Sequence, residues 1–425
     1  MSIYDGVKSV FLVGLKGVGV SGLAQLLKAK GMAVSGWDTT EPFFTDQILE
    51  RAKIPLTTEP VPALKDKPDL AIYSQAYAAA EHPARRALTA LKVPQIAYAP
   101  AVAALFNPRL GVLVAGSHGK STTTALIASI LIEAGYDPTV LVGTEMLSLN
   151  SNARPGASEY FVLEGDEYRE VFKAYEPKLL LILNIDWDHP DHFSTPAAYE
   201  RAFKDLVAAQ PESTTVLIPA HEPTLARVVE GTKARVLYFD PQDAPARLPR
   251  TLLGEHNRAN TAAALSVARA LGVSVKAALA GVEAFKGTRR RLEPKGLKNG
   301  VATFDDYAHH PTEIRASLEA LKTLGPMPLW AVFQPHTFSR TAAFLNNFAA
   351  SLRMADRVIL LPVYGSARES GGGVGSEDLA ALIGPKASVA KDLEDVGPLL
   401  QDLPKRAIFV TMGAGDVWKV HELLV

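Results

Sequence analysis

The chain has 425 residues, enough for two to four domains, with three the natural expectation. Hydrophobic residues make up 48% and charged ones 21%, the balance of an ordinary globular protein; a net charge of −1 gives no electrostatic reason to expect nucleic acid or an anionic membrane as partner. There is no cysteine, which excludes disulfides, thiolate catalysis and cysteine-ligated zinc.

The opening segment MSIYDGVKSVFLVG lacks a basic stretch followed by a long apolar core, and no run approaches the roughly 18 apolar residues of a membrane span. A cytoplasmic enzyme is the expectation. Residues 8–14 (KSVFLVG) predict a buried β-strand. The loop Gly14-Leu15-Lys16-Gly17-Val18-Gly19 follows, then a helix over about 21–30 and a second strand ending at Asp38. This is a dinucleotide-fold arrangement, in which glycines let the backbone approach a diphosphate and an acidic residue reaches a ribose. The spelling GxxGxG is not the strict GxGxxG, and a plain tight strand–helix turn is the alternative. Strands over 69–74 and 94–98 flank a helix at 82–92, and the first domain ends near Phe106-Asn107-Pro108, where the pattern breaks.

The second domain opens with GVLVAGSHGKSTTTA, residues 111–125. An apolar strand breaks at Gly116 and a helical pattern follows from Ser121. Strand, glycine turn, Lys-Ser and helix are the layout of a phosphate-binding loop. Backbone N–H groups cradle phosphate, Lys120 neutralises it and the Ser121 hydroxyl suits Mg²⁺. Gly116, Ser117, His118, Gly119, Lys120, Ser121 and Thr122 are therefore candidate phosphate or metal contacts. Strands follow at 139–143 and 160–164, the second delivering Glu164, Asp166 and Glu167 to its C-terminal end, where open α/β sheets bind ligands. In KLLLILNIDWDHPDHF, 178–193, an apolar strand runs into Asn184, Asp186, Asp188, His189, Asp191 and His192. That cluster suits a metal or phosphate site, with a solvated acidic loop as the alternative.

A helix over 197–209, a strand over 214–218 and a Pro-rich loop at 240–250 come next. GEHNRANTAAALSVARALG, 254–272, predicts an Ala-rich helix with Asn257 and Asn260 on one face, suited to reading a base edge; helix capping is an equal use for Asn257. The third domain begins after Thr288-Arg289-Arg290-Arg291-Leu292-Glu293. Three adjacent arginines suit either a solvated turn or the stabilisation of phosphoryl oxygens. The strand VATFDDY leads into Asp305, Asp306, Tyr307, His309, His310 and Glu313 and a helix to Leu324, and LWAVFQPHTFSR is a strand ending in His336 and Arg340. Strands at 357–363 and 406–411 and the turn Gly413-Ala414-Gly415-Asp416 complete the unit, while ESGGGVGSED, 369–378, reads as a mobile loop. The expected fold is α/β with three domains, 1–107, 108–293 and 294–425. Two phosphate-binding units imply one consumed nucleotide and one nucleotide-like substrate, and so an ATP-driven transferase or ligase. A nicotinamide-dependent dehydrogenase leaves the phosphate loop unexplained, and a P-loop motor needs no N-terminal diphosphate site.

At these residues the chain closely resembles the Mur ligases of peptidoglycan synthesis. GSHGKSTTT is similar to the family's G-T-x-G-K-T-x-[ST] loop, and EGDE, NIDWDHPDHF, GEHNRANTAAA, TRRRLE, DDYAHHPTEI and FQPHTFSR follow in the family's order across all three domains. The resemblance implies an N-terminal Rossmann-like UDP-binding domain, a central P-loop ATPase-type domain with a mostly parallel sheet, and a C-terminal Rossmann-like domain. It implies ATP and Mg²⁺ as cofactors and a monomer or weak homodimer. The implied reaction adds L-alanine to the lactyl carboxylate of UDP-N-acetylmuramate through an acyl phosphate; the alternative is the recycling ligase that attaches a murein tripeptide to the same nucleotide sugar.

Carried over residue by residue, the resemblance gives Lys120 the β/γ-phosphates, Ser121 and Glu164 one Mg²⁺ and His189 a second. His256, Asn257 and Asn260 line an adenine site, Arg290 faces the γ-phosphate and Asp306 touches the ATP ribose. Tyr307, His309 and Arg340 shape the alanine and acyl-phosphate side. Gly17, Val18, Gly19, Asp38 and Ser74 hold the UDP moiety. Four departures stand out. Ser121 replaces a Thr but keeps the hydroxyl. Lys16 replaces a glycine, which puts an ammonium within reach of phosphate. Thr337 stands where alanine-adding members commonly carry Arg, and the segment before Gly254 is short enough to lack a peripheral hairpin.

Overall fold

Three successive runs of short apolar strands build three separate sheets. The structure, a computed structural model, describes residues 2–59, 66–365 and 373–424. The first part of the 369–378 patch lies outside the described residues.

The first sheet holds β1 (Ser9–Val13), β2 (Ala33–Trp37), β3 (Leu56–Thr57), β4 (Leu70–Tyr73) and β5 (Gln95–Ala97) in the order β3-β2-β1-β4-β5, all parallel. The second holds β6 (Leu110–Ala115), β7 (Thr139–Met146), β8 (Ser151–Arg154), β9 (Tyr160–Glu164), β10 (Leu179–Ile182), β11 (Thr215–Pro219) and β12 (Arg235–Phe239) in the order β12-β11-β10-β6-β9-β7-β8. Only β8 runs antiparallel, on β7. The third holds β13 (Glu293–Lys298), β14 (Val301–Asp306), β15 (Leu329–Phe333), β16 (Arg357–Leu360), β17 (Ala387–Val389) and β18 (Ile408–Met412) in the order β13-β14-β18-β15-β16-β17, with β13 antiparallel at one edge.

Parallel strands joined by helical crossovers are covered on both faces, which is why their sequences are apolar without alternation. On β6, Leu113 and Ala115 point into a core shared with the first sheet's helices, while Val112 and Val114 point to the opposite core. The helix Lys120–Glu133 sits in that opposite core. Leu126, Ile127, Ile130 and Leu131 are all buried, wrapped by the sheet and by the helices Glu255–Ala270 and Val275–Glu283. Burying each such side chain is worth about 1.5–3 kcal/mol. Gly281 permits the close packing, since a Cβ there would collide with the Ile130 backbone. The N-terminus of a firmly seated helix is thereby fixed at the C-terminal edge of β6. Between β12 and Gly254 the chain forms only the short 3₁₀ turn Pro241–Asp243 and no strand, so no hairpin occupies this segment. No helix among the described residues is long and apolar enough to cross a membrane.

Candidate active site

The turn after β6 puts Gly116 (φ 132°) and Gly119 (φ 84°) in left-handed conformations, and Gly119 caps the helix. Lys120 folds back over this turn. Its Nζ donates to the carbonyls of Gly116 (2.6 Å) and Ser117 (2.9 Å) and pairs with the buried carboxylate of Glu167 at 2.9 Å. Burial alone would lower the lysine's pKa, but Glu167, with Glu164 and Asp166 beyond it, holds it above its ordinary value. Glu167 also accepts from Tyr199 Oη (3.3 Å) and faces His189 Nε2 at 3.7 Å. The same Tyr199 hydroxyl lies 2.9 Å from Ser117 Oγ. Next to this group, Ser121 Oγ donates to Glu164 Oε1 (2.8 Å) and the Gly143 N–H donates to Oε2 (2.6 Å).

Residues of the third sheet's segment close over the loop. Arg340 Nε donates to Asp188 Oδ1 at 2.8 Å, and both side chains are buried. Burial would raise the Asp188 carboxyl, but Arg340 and His189 hold it well below the usual carboxylate range. His309 is buried beside them, with Nδ1 3.0 Å from the Tyr307 carbonyl, and burial pushes its pKa down to about 3, so it is neutral. Nearer the loop, His118 meets Asp186 (3.0 Å) and, across the domain boundary, Glu313 (3.3 Å). Burial opposes charge on this imidazole, but the two carboxylates push its pKa up to about 9.

Behind His118 opens a cleft of about 330 Å³ between the two segments. His118, Gly119, Thr122, His256, Asn257, Asn260 and Asp306 all line it, together with Arg291 and Glu313. Asn260 Nδ2 donates to Asn257 Oδ1 (3.1 Å), confirming that the two amides share a face. Asn257 Nδ2 donates to the Leu253 carbonyl, and the N-cap itself is Gly254. The residues present fit a magnesium nucleotide. A Cβ at Gly119 would fill the cradle against Asn260, the Ser121–Glu164 pair is an all-oxygen donor set of the type Mg²⁺ prefers, and the buried Nδ1 of His256 has no hydrogen-bond partner among the described residues. Burial lowers the His256 pKa to about 4, leaving a neutral ring with a free nitrogen. Asp306 is pushed up to about 6 by burial and accepts from Ser317 Oγ and the Ala308 N–H.

Comparison with known proteins gives this constellation a lineage. Three profiles match in chain order: "Mur ligase family, catalytic domain" over residues 10–109, "Mur ligase middle domain" over 114–248 and "Mur ligase, glutamate ligase domain" over 290–415. A UDP-N-acetylmuramate–L-alanine ligase of Desulfitobacterium hafniense is 35% identical over 447 aligned positions, covering 98% of this chain and 99% of the relative. The chain belongs to the Mur ligase family. A namesake ligase from Caldanaerobacter subterraneus is 34% identical over 98% of this Mur ligase and 96% of its own length. Among solved structures, the UDP-N-acetylmuramate–alanine ligase of Thermotoga maritima superposes with a TM-score of 0.79 at 22% identity, and a murein peptide ligase of Psychrobacter arcticus with 0.73 at 24%, each covering 98% of both chains. At those identities the likeness shows the fold: mixed α/β with three mostly parallel sheets.

Several of the Mur ligase's candidate residues are engaged otherwise than the sequence suggests. Arg290 does not face the phosphate loop. Its guanidinium donates to Asp305 (3.0 Å) and to the carbonyls of Gly413 (2.6 Å) and Gly415 (2.9 Å), bracing the glycine turn after β18; Arg291, one residue on, lines the cleft instead. Asp38 is buried with both oxygens occupied by the Lys16 and Thr39 N–H groups and Tyr77 Oη, so it shapes the first loop. Lys16 turns its ammonium to the Glu41 carbonyl and to Asp46 at 3.3 Å, away from any phosphate role in the loop. Gly19 is required by Tyr98, whose hydroxyl a Cβ there would strike, and the Val18 carbonyl is taken by Asn152 Nδ2 of the central segment. Gly17 caps the helix Val18–Ala29, and Ser74 packs against Gly14, whose φ of 88° makes the tight turn. Thr337 sits at φ 65°, ψ 138°, unusual for a β-branched residue, and caps the helix carrying Arg340. Of the contacts made here, Tyr199 is the one that sequence reasoning did not single out. Glu167, Asp188, Arg291 and Glu313 lie inside EGDE, NIDWDHPDHF, TRRRLE and DDYAHHPTEI, but the resemblance gave none of them a role of its own.

Proposed function

We propose that this Mur ligase is an ADP-forming UDP-N-acetylmuramate–L-alanine ligase that joins the lactyl carboxylate to the amine of alanine through an acyl phosphate. Full-length relatedness carries the reading: relatives bearing that name align over 98% of the chain. The geometry supports it. Forming an amide from a free carboxylate is uphill, so the carboxylate must first take the γ-phosphoryl group of ATP, releasing ADP and giving an acyl phosphate whose phosphate is a good leaving group for the attacking amine. Lys120, kept cationic in a buried site, holds phosphate charge at the helix N-terminus, where N–H groups add to it. Ser121 and Glu164 would hold one Mg²⁺ and His189 a second, and the chemistry supplied there would be Lewis-acid neutralisation of phosphoryl charge.

In this reading residues 1–107 hold the UDP moiety, 108–293 bind ATP, and 294–425 complete the ATP and amino-acid sites. His256, Asn257 and Asn260 receive the adenine, Asp306 the ribose, and Arg291 rather than Arg290 the phosphate-side charge. Tyr307, His309 and Arg340 form the wall facing the acceptor amine. Neutral His309 presents no cation that would repel an incoming ammonium.

The deciding assay is ADP release with components omitted. Release should require both UDP-N-acetylmuramate and an amino acid, with L-alanine preferred over glycine, L-serine and a murein tripeptide. Undiminished ATP hydrolysis without either substrate would sink the ligase reading, and preference for the tripeptide would move the chain to the recycling reaction.

A further inference from the structure

Beside the cleft, three side chains outside the Ser121–Glu164–His189 set converge: His118, Asp186 and His310, one ligand atom from each lying within 4.8 Å of the others. Asp186 Oδ2 is 3.0 Å from His118 Nε2 and 3.7 Å from His310 Nδ1. Ligands on a tetrahedral zinc, with bonds of about 2.0–2.1 Å, stand about 3.3 Å apart, so the observed gaps bracket the requirement. The outer hydrogen bonds are those of metal-ligating histidines. His118 turns its other nitrogen, Nδ1, to the Glu313 carboxylate at 3.3 Å, so Nε2 is the nitrogen that faces Asp186 and the cluster. His310 turns Nε2 to the Trp187 carbonyl at 3.2 Å, which fixes that nitrogen as the N–H and makes Nδ1 the electron-pair donor; without a cation that pair accepts the Thr312 N–H at 3.3 Å, a capping bond that a cation would replace. Thr312 Oγ1 donates to Asp186 Oδ2 at 2.7 Å and orients the carboxylate.

We propose that His118, Asp186 and His310 form a binding site for a transition cation of the Zn²⁺ class, distinct from the magnesium positions. Two imidazole nitrogens and one carboxylate oxygen are a donor set for Zn²⁺ and its neighbours; hard Mg²⁺ prefers oxygen and keeps its water. His118 and Asp186 belong to the central segment and His310 caps the helix Pro311–Lys322 of the C-terminal one. A cation held by all three therefore ties the two segments together along the nucleotide cleft.

The test is titration of the nucleotide-free protein with Zn²⁺ by calorimetry, and with Co²⁺ by visible absorption, in excess Mg²⁺ to occupy the oxygen sites. One Zn²⁺ per chain is expected, with an intense tetrahedral Co²⁺ band. His310→Ala and, separately, Asp186→Asn should each weaken binding at least about 10-fold, while His189→Ala leaves it unchanged. Asp186→Asn keeps the shape of the side chain, so it decides the matter if His310→Ala fails to fold. Wild-type affinity in a folded Asp186→Asn protein, no Zn²⁺ uptake in the presence of Mg²⁺, or loss of uptake in His189→Ala alone overturns the assignment.

Discussion

Replacing Arg340 by methionine removes the guanidinium that donates to Asp188 Oδ1 across the boundary between central and C-terminal segments. The two side chains are 4% and 6% exposed, so this is not a screened surface pair. Methionine refills much of the volume but leaves Asp188 as a buried carboxylate without the guanidinium, holding the His189 N–H (2.6 Å) and facing its imidazole at 3.9 Å. Breaking a buried pair in this way costs about 3–5 kcal/mol. Because the pair joins two segments, the cost falls on the closed arrangement, shifting its ratio to open forms by about 10²-fold or more. Small-angle scattering of the nucleotide-free protein should report a larger radius of gyration for Arg340→Met. The double variant Asp188→Asn/Arg340→Met removes both charges and should recover most of the lost stability. Wild-type scattering and stability in Arg340→Met, or a coupling below about 0.5 kcal/mol in the double-mutant cycle, would refute the reasoning.

Lys120→Ala should lower kcat for ADP formation by at least about 10²-fold while leaving UDP-N-acetylmuramate binding by calorimetry intact; loss of both would mean the two nucleotide sites are not separate. Arg290→Ala should act on stability, lowering the melting temperature by stranding buried Asp305 and two turn carbonyls, whereas Arg291→Ala should raise KM for ATP with little change in melting. The pKa of His118 is raised in the fold to about 9 from 6.5, so its contribution is full below about pH 6.5 and lost as pH rises through 9, an effect of about 3 kcal/mol. The facing groups are Asp186, Glu313, His310 and, behind Glu313, Arg291. Urea midpoints should fall between pH 6.5 and 9.5, and His118→Gln should flatten that slope.

Central strands were legible because parallel sheets bury both faces and leave continuous apolar runs, several of them ended by a glycine or an acidic residue at the ligand edge, as at Gly14, Gly116, Glu164 and Asp306. The edge strands, Gln95–Ala97 apart, were not. Leu56–Thr57, Ser151–Arg154, Arg235–Phe239, Glu293–Lys298 and Ala387–Val389 are short or half-exposed, so they need no apolar run, and Glu293–Lys298 even contains Pro294 and Gly296. Local motifs placed Lys120, Ser121, Glu164 and the Asn257–Asn260 pair, since their partners lie on the same turn or neighbouring strands. The arginine triplet resisted because its backbone twists: Arg290 and Leu292 have φ of 56° and 44°, which sends successive side chains in different directions. Arg289 pairs with Glu145 and Arg290 with the C-terminal glycine turn, while Arg291 lines the cleft. No periodicity in the sequence encodes that divergence. Asp38 misled for a related reason, because its carboxylate is spent on the backbone of Lys16, twenty-two positions away.

A lysine taken out of water needs an anion to remain charged, and Glu167 is that anion for Lys120. Glu167 in turn faces His189 (3.7 Å), His189 faces Asp188 (3.9 Å), and Asp188 is bound by Arg340 (2.8 Å). The charges alternate along this line from the phosphate loop to the C-terminal segment, so each buried ion is compensated only while its neighbours stay in place. The far end is anchored by Thr337, whose hydroxyl accepts the Arg340 N–H and whose strained backbone starts the helix that carries the guanidinium. A phosphate that drew Lys120 away from Glu167 would leave that carboxylate with Tyr199 and His189 as its side-chain partners. Charge at the loop and closure of the C-terminal segment are therefore one electrostatic problem, solved by the same five side chains.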